Sequence, residues 1–197
     1  ADENSTQIAQ LIIKLNNEGL SHSDDSNYKE AFSSYNKALQ LINGANLNDG
    51  LLEATLLSNL GHAYIYSPQP DLKKAVKTLK ESIRIKSLKK NSIYKNINES
   101  IAFDYLQLGR AYADEEIEKS DLAIYHFEKS LNYYSESPQI NQQIYSVYEA
   151  LTHIHQEEGN IEEAIHYGKL ALETSNEKFG PKSRYTATAL NNIAWIY

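Results

Sequence analysis

The side chains able to do chemistry in this chain are plentiful but not gathered. His153-x-His155 is the only dense histidine pair. Residues two apart leave a helix on different sides, so these two cannot chelate one metal ion together. Cys is absent, which removes thiolate zinc sites, disulfide frameworks and cysteine nucleophiles. The eight glycines are scattered, and none of them builds a phosphate-cradling loop. Acid–base or nucleophilic catalysis needs groups that converge in a pocket, whereas the Ser, His and carboxylate residues here follow a helical period. No metal and no cofactor is expected, and the chain reads as non-enzymatic. What remains is recognition. Asn and Gln side chains recur at fixed offsets, and each can donate to a carbonyl and accept from an N–H of an extended chain.

Those offsets are set by a repeat. Leu57, Leu60, Gly61 and Tyr64 form one helical face around a residue with no side chain. The same shape returns as Leu15, Glu18, Gly19, His22, as Tyr105, Leu108, Gly109, Tyr112, as Tyr148, Leu151, Thr152, His155, and as Leu190, Ile193, Ala194, Tyr197. The small markers lie 42, 48, 43 and 42 residues apart. Downstream of the first four come Ala31, Ala75, Ala123 and Ala164, each followed by a large apolar residue. Seven residues later stand Ala38, Ser82, Ser130 and Ala171. Small residues flanked by large ones let two helices approach to about 8–10 Å and interlock. Marker and Ala are 12 apart in the first and fourth units and 14 apart in the second and third, so the middle two carry longer turns. All four prolines fall between periodic segments, where a helix breaker does no harm. Helices are expected over 5–21, 27–43, 48–66, 71–89, 92–113, 119–135, 139–157, 160–176 and 182–197.

This pattern resembles the tetratricopeptide repeat family, whose hairpin has small residues at its eighth, twentieth and twenty-seventh positions. Leu15, Gly19, Tyr28, Ala31, Tyr35 and Ala38 fit it closely. The stretch from Thr186 to Tyr197 looks like the roughly 42-residue variety known from kinesin light chains and bacterial sensory proteins. The resemblance implies an all-α right-handed superhelical solenoid of antiparallel hairpins. It also implies one array over 1–197, with repeats near 5–45, 48–90, 92–136 and 139–177 and the first helix of a fifth at 182–197. First-helix positions one turn from the packing face should then line a concave groove: Asn16, Asn17, Asn59, His62, Gln107, Arg110, Glu149, His153, Asn191, Asn192 and Trp195. Arg110 has the geometry to meet a carboxylate with two parallel hydrogen bonds. His155 holds the slot of Tyr64 and Tyr112, so its expected role is packing. The family's carboxylate clamp maps onto Asn16, Leu20, Asn59, Phe103 and Gln107; only Asn59 keeps the clamp's residue type, so chaperone tails are not expected ligands.

Charge is segregated as well. Between Asp71 and Lys95 nine basic residues face two acidic ones, a window of +7 in a chain of net charge −7. Lys73, Lys77, Lys80 and Arg84 form one helical stripe, and family geometry puts it on the convex side as a possible docking patch for an acidic partner. Nucleic acid is not expected, because the chain is acidic and no aromatic residues interleave that stripe. No run of eighteen apolar residues exists, so no membrane-inserting helix is expected, and the compartment stays open between cytoplasm and bacterial periplasm. With no Met even at its first position, the chain reads as a processed product or a piece of a longer protein. Ile193 and Tyr197 should face a second helix that is not in the sequence, so α-helical cover from further sequence or from another copy is expected. The expected function is a non-enzymatic protein or peptide interaction module within a larger bacterial signalling or scaffold protein. A peptide-sensing regulator of the Gram-positive quorum-sensing type is the alternative, and an enzyme comes third.

Overall fold

The computed structural model describes residues 3–45, 50–89, 96–114, 119–136 and 142–197. Among them are nine α-helices and no strand: α1 (Glu3–Asp24), α2 (Tyr28–Ala45), α3 (Gly50–Tyr66), α4 (Leu72–Leu88), α5 (Ile97–Ala113), α6 (Ser120–Ser135), α7 (Gln142–Glu157), α8 (Ile161–Phe179) and α9 (Arg184–Ile196). Each lies where the periodicity puts a helix. α1 and α8 run about three residues past their expected ends, and parts of the expected starts of α3, α5 and α7 fall outside the described residues. The chain divides into two compact units, Ala1–Ile97 and Asn98–Tyr197.

The repeat markers are points of close approach. A Cβ added at Gly61 would lie 2.5 Å from Leu79 Cγ on α4, closer than side-chain carbons ever sit. Gly19 meets the Tyr35 ring and Gly109 the Phe127 ring in the same way. So α1 packs on α2, α3 on α4 and α5 on α6 through a residue that must lack a side chain. In the first unit Ile12, Ala31, Tyr35, Ala38, Leu56, Leu60 and Ala63 form the buried cluster. In the second, Tyr145, Ala171 and Ala189 join α7, α8 and α9.

The turns inside hairpins also repeat. The carbonyls of His22, Tyr64, Tyr112 and His155, each three residues past its marker, accept the bond that closes the turn. The donors are the N–H groups of Asn27, Asp71, Lys119 and Asn160, at 2.7, 2.9, 3.1 and 2.8 Å. Each donor residue's own carbonyl then takes the first bond of the next helix, from Ala31, Ala75, Ala123 and Ala164. Asp71 further caps α4 by accepting from Lys74 N at 3.0 Å.

Candidate functional site

Three of the rings at the slot three past a marker, Tyr64, Tyr112 and His155, are packed against the second helix of their own or a neighbouring hairpin. His155 is 8% exposed and stacks on Tyr167 at 5.5 Å with 10° between planes. Tyr112 stacks on His126 at 5.2 Å and 11°, so the two hairpins hold the same ring pair in swapped order. Tyr64 stacks on Phe32 at 4.9 Å. Burial pushes the Tyr35, Tyr105, Tyr148 and Tyr167 hydroxyls above the ordinary phenol range.

His153, two residues from His155, points elsewhere and is solvent-exposed. Its Nδ1 lies 3.4 Å from Glu157 one turn on. It lines two clefts of the second unit. One, of about 290 Å³, runs between α7 and α9 and is lined by Thr152, His153, Gln156, Asn191, Asn192 and Trp195. The other, of about 470 Å³, lies between α5 and α7 and includes Arg110, Asp114, Phe127, His153, Ile154 and Glu157. Three successive first helices of hairpins therefore contribute to one run of lining. Trp195 is 74% exposed on it, and Gln156 Nε2 donates to the Trp195 carbonyl at 3.3 Å. Glu149 is half-buried and accepts from Tyr145 Oη at 3.1 Å. The first unit places Asn17 in solvent and half-buries Asn16, Asn59 and His62. Asn59 Nδ2 donates to Asn16 Oδ1 at 2.7 Å, joining α1 to α3, while the His62 ring sits 4.5 Å from that of Tyr66.

Gln107 departs from the expectation. It is 0% exposed, and among the described residues neither end of its amide has a hydrogen-bond partner. A residue two before the marker is turned about 200° from it, and in α5 that direction is packed while in α9 it leaves Asn192 half-open. Gln107 is therefore interior and does not line a groove. Polar residues that line these clefts and that the offsets overlooked are Gln156, Asp114 and Glu157. Asp114 and Glu157 share one offset, five past the marker, about 40° of rotation beyond Arg110 and His153. Reading that column would have found them. Among the described residues no three His, Cys, Asp or Glu side chains are grouped so as to hold a metal.

Residues 143–197, which carry α7, α8 and α9, match the model of the tetratricopeptide repeat family. This segment is a tetratricopeptide repeat. No curated protein matches the chain by sequence. Among solved structures, BtubC (BKLC) from P. vanneervenii superposes with a TM-score of 0.78 at 15% identity, over 98% of this chain and 74% of its own. A kinesin-light-chain-type protein of Podosopora anserina with nearly identical TPR-like repeats gives 0.73 at 14% identity, over 100% of this chain and 88% of its own. At such identities the likeness is one of fold, and the fold is the all-α solenoid of antiparallel hairpins that the repeat implies. Tetratricopeptide repeats generally mediate protein–protein interactions and are generally not catalytic.

Away from these clefts, the hairpin α3–α4 carries the basic stripe. Lys73, Lys77, Lys80 and Arg84 are all exposed on α4. Arg84 is engaged by Glu81 through two bonds of 2.9 and 2.7 Å, and Lys74 by Asp71 at 2.9 Å. Hydrogen bonds hold both carboxyls below their usual range: those of the Lys74 backbone N–H and then its ammonium for Asp71, and those of the Arg84 guanidinium for Glu81. On α9, Ile193 is half-buried and faces Gly168, where an added Cβ would meet it at 3.0 Å. The open apolar face of α9 is instead Leu190, Ala194 and Tyr197, with Leu190 52% and Tyr197 86% exposed. Among the described residues no helix is long and apolar enough to cross a membrane.

Proposed function

We propose that this chain is a non-enzymatic module that binds an extended segment of a partner protein along its first-helix face, with His153 central. The observation that carries the reading is that His153 belongs to both clefts of the second unit. An extended peptide repeats every 3.3–3.4 Å and needs a long run of alternating contacts rather than one deep hole. Arg110, Asn191, Asn192 and Trp195 supply charge, carboxamide and aromatic contacts on that run. Asn16, Asn17, Asn59 and His62 supply the corresponding contacts in the first unit. The rival surface is the α4 stripe of Lys73, Lys77 and Lys80, which would take an acidic partner. Self-association through α9 is consistent with the open face of Leu190 and Tyr197, and strictly monomeric sedimentation would remove it.

Photo-crosslinking residues placed singly at His153, Asn59 and Lys77 test the reading against peptides selected from a displayed library on the whole chain. Capture at His153 and Asn59, with none at Lys77, is the expected result. Capture confined to Lys77 would make the α4 stripe the binding surface and the groove reading wrong.

A further inference from the structure

The cleft between α7 and α9 sets an open indole beside two carboxamides. Asn191 and Asn192 stand four and three residues before Trp195, so the three side chains share one face of α9. They line the cleft opposite Thr152, His153 and Gln156 of α7. Trp195 is 74% exposed, while its carbonyl is held from across the cleft by Gln156 Nε2 at 3.3 Å. The backbone under the indole is thus tied down and most of the ring surface is open. Among the described residues no lysine, arginine or carboxylate belongs to this lining, and its titratable group, His153, already has Glu157 at 3.4 Å. At about 290 Å³ the cleft is near the lower end of ligand sites, with room for one or two residues of a chain.

Such a lining suits a neutral segment that brings a flat apolar ring and bare carbonyls to the same place. A charged side chain would find no fixed counter-charge among these residues. Leucine would cover the indole but strip water from the Asn191 and Asn192 carboxamides without replacing it. An aromatic ring would stack, yet it reaches the indole on a side chain and holds its backbone away from those amides. In proline the ring is part of the backbone. Burying it costs no rotamer freedom, and a polyproline II segment leaves its carbonyls free of internal hydrogen bonds. Carboxamide Nδ2 groups and the indole N–H can donate to those carbonyls. Aromatic-lined grooves take proline-rich segments by this chemistry. We propose that the α7–α9 cleft takes a proline of the bound segment. Its ring lies on the Trp195 indole, and a neighbouring carbonyl accepts from Asn191 or Asn192. The inference rests on the groove reading above and adds the residue that enters this part of it.

The test selects peptides from a displayed library on the whole chain, with a photo-crosslinking residue at His153 reporting where they bind. The captured peptides are then titrated into the unmodified chain. Trp195 is its one tryptophan, so indole emission reads the cleft directly. Captured peptides should carry proline at one fixed position and shift that emission. Replacing the proline by alanine should weaken binding about three- to tenfold, the range of one stacked ring. Trp195→Ala should weaken the parent peptide by a similar factor and abolish the difference between proline and alanine, read by anisotropy of labelled peptide. Trp195→Phe keeps a flat ring and should restore most of that difference. The side chain is 74% exposed, so neither variant threatens folding. Captured peptides with leucine or an aromatic residue at the fixed position, or a Trp195→Ala variant that still prefers proline, would overturn this inference and leave the groove reading standing. A library that yields no peptide captured at His153 would overturn both.

Discussion

Hairpins α1–α2 and α7–α8 turn in fewer residues than α3–α4 and α5–α6, and the difference reaches into their cores. The short turns close on His22 and His155 and pass through a left-handed residue, Ser26 at φ 61° and Gly159 at φ 75°. The long turns close on Tyr64 and Tyr112. In the short-turn hairpins a buried alanine of the second helix shares its cluster with a large residue of the first: Ala38 with Ile12, Ala171 with Tyr145. Beneath the long turns both partners are small, and a buried serine hydroxyl bridges them. Ser82 Oγ donates to the Ala54 carbonyl at 2.8 Å, and Ser130 Oγ to the Ala102 carbonyl at 2.7 Å. One hairpin geometry is thus held in two ways, by volume in the outer hairpins and by a polar stitch in the inner ones.

The largest effect should come from emptying an outer hairpin. Tyr145 is 2% exposed, with its hydroxyl near both Glu149 and the Tyr185 carbonyl. Tyr145→Ala should cost about 3–5 kcal/mol, read as a lower urea midpoint at unchanged slope. A loss below about 1 kcal/mol would mean that volume is not what holds α7 to α8. Overfilling an inner hairpin comes next. Gly109→Ala drives a Cβ into the Phe127 ring and should cost about 1–3 kcal/mol. Gly44→Ala is the control, because nothing lies within 4 Å of a Cβ there. That change should be neutral or stabilise by up to about 1 kcal/mol. Cutting the stitch is smaller still. Ser130→Ala should cost about 1 kcal/mol, since the Ala102 carbonyl lies inside α5 and keeps its helical position. The reverse change, Ala38→Ser, should bring no gain, because its hairpin has the large Ile12 where the inner ones have Ala54 and Ala102.

The packing keys were legible in the sequence because they are local. A residue without a side chain between large ones three and four away recurs wherever two helices must touch, so Gly19, Gly61 and Gly109 could be read directly. The turn lengths were legible for the same reason, from the 12- and 14-residue offsets. The serine stitch was not read, although Ser82 and Ser130 stand 48 residues apart, as do Ala54 and Ala102. Its meaning depends on which carbonyl faces the hydroxyl, which sequence spacing does not reveal. Gln107 failed for a related reason. An offset fixes a direction from the helix axis, but whether that direction is open depends on what packs there. Asp114 and Glu157 were visible as residues and became a pair only when α5 and α7 were seen to border one cleft.

The smallest effect separates the two outer hairpins, which share a turn but differ at its left-handed residue. A side chain in that region brings Cβ close to its own backbone and costs about 1–2 kcal/mol, and glycine avoids the clash. Glycine pays part of that back, because its unfolded chain has more freedom to lose. Ser26→Gly should therefore stabilise the protein by about 0.5 kcal/mol, and Gly159→Ser should destabilise it by a similar or larger amount. An added Cβ at Gly159 meets nothing within 4 Å, so backbone conformation alone decides the sign at that position. Urea midpoints that move in opposite directions for the two variants are the expected result. If both variants lose stability, Ser26 contributes through its side chain, and the short turns of α1–α2 and α7–α8 are not interchangeable.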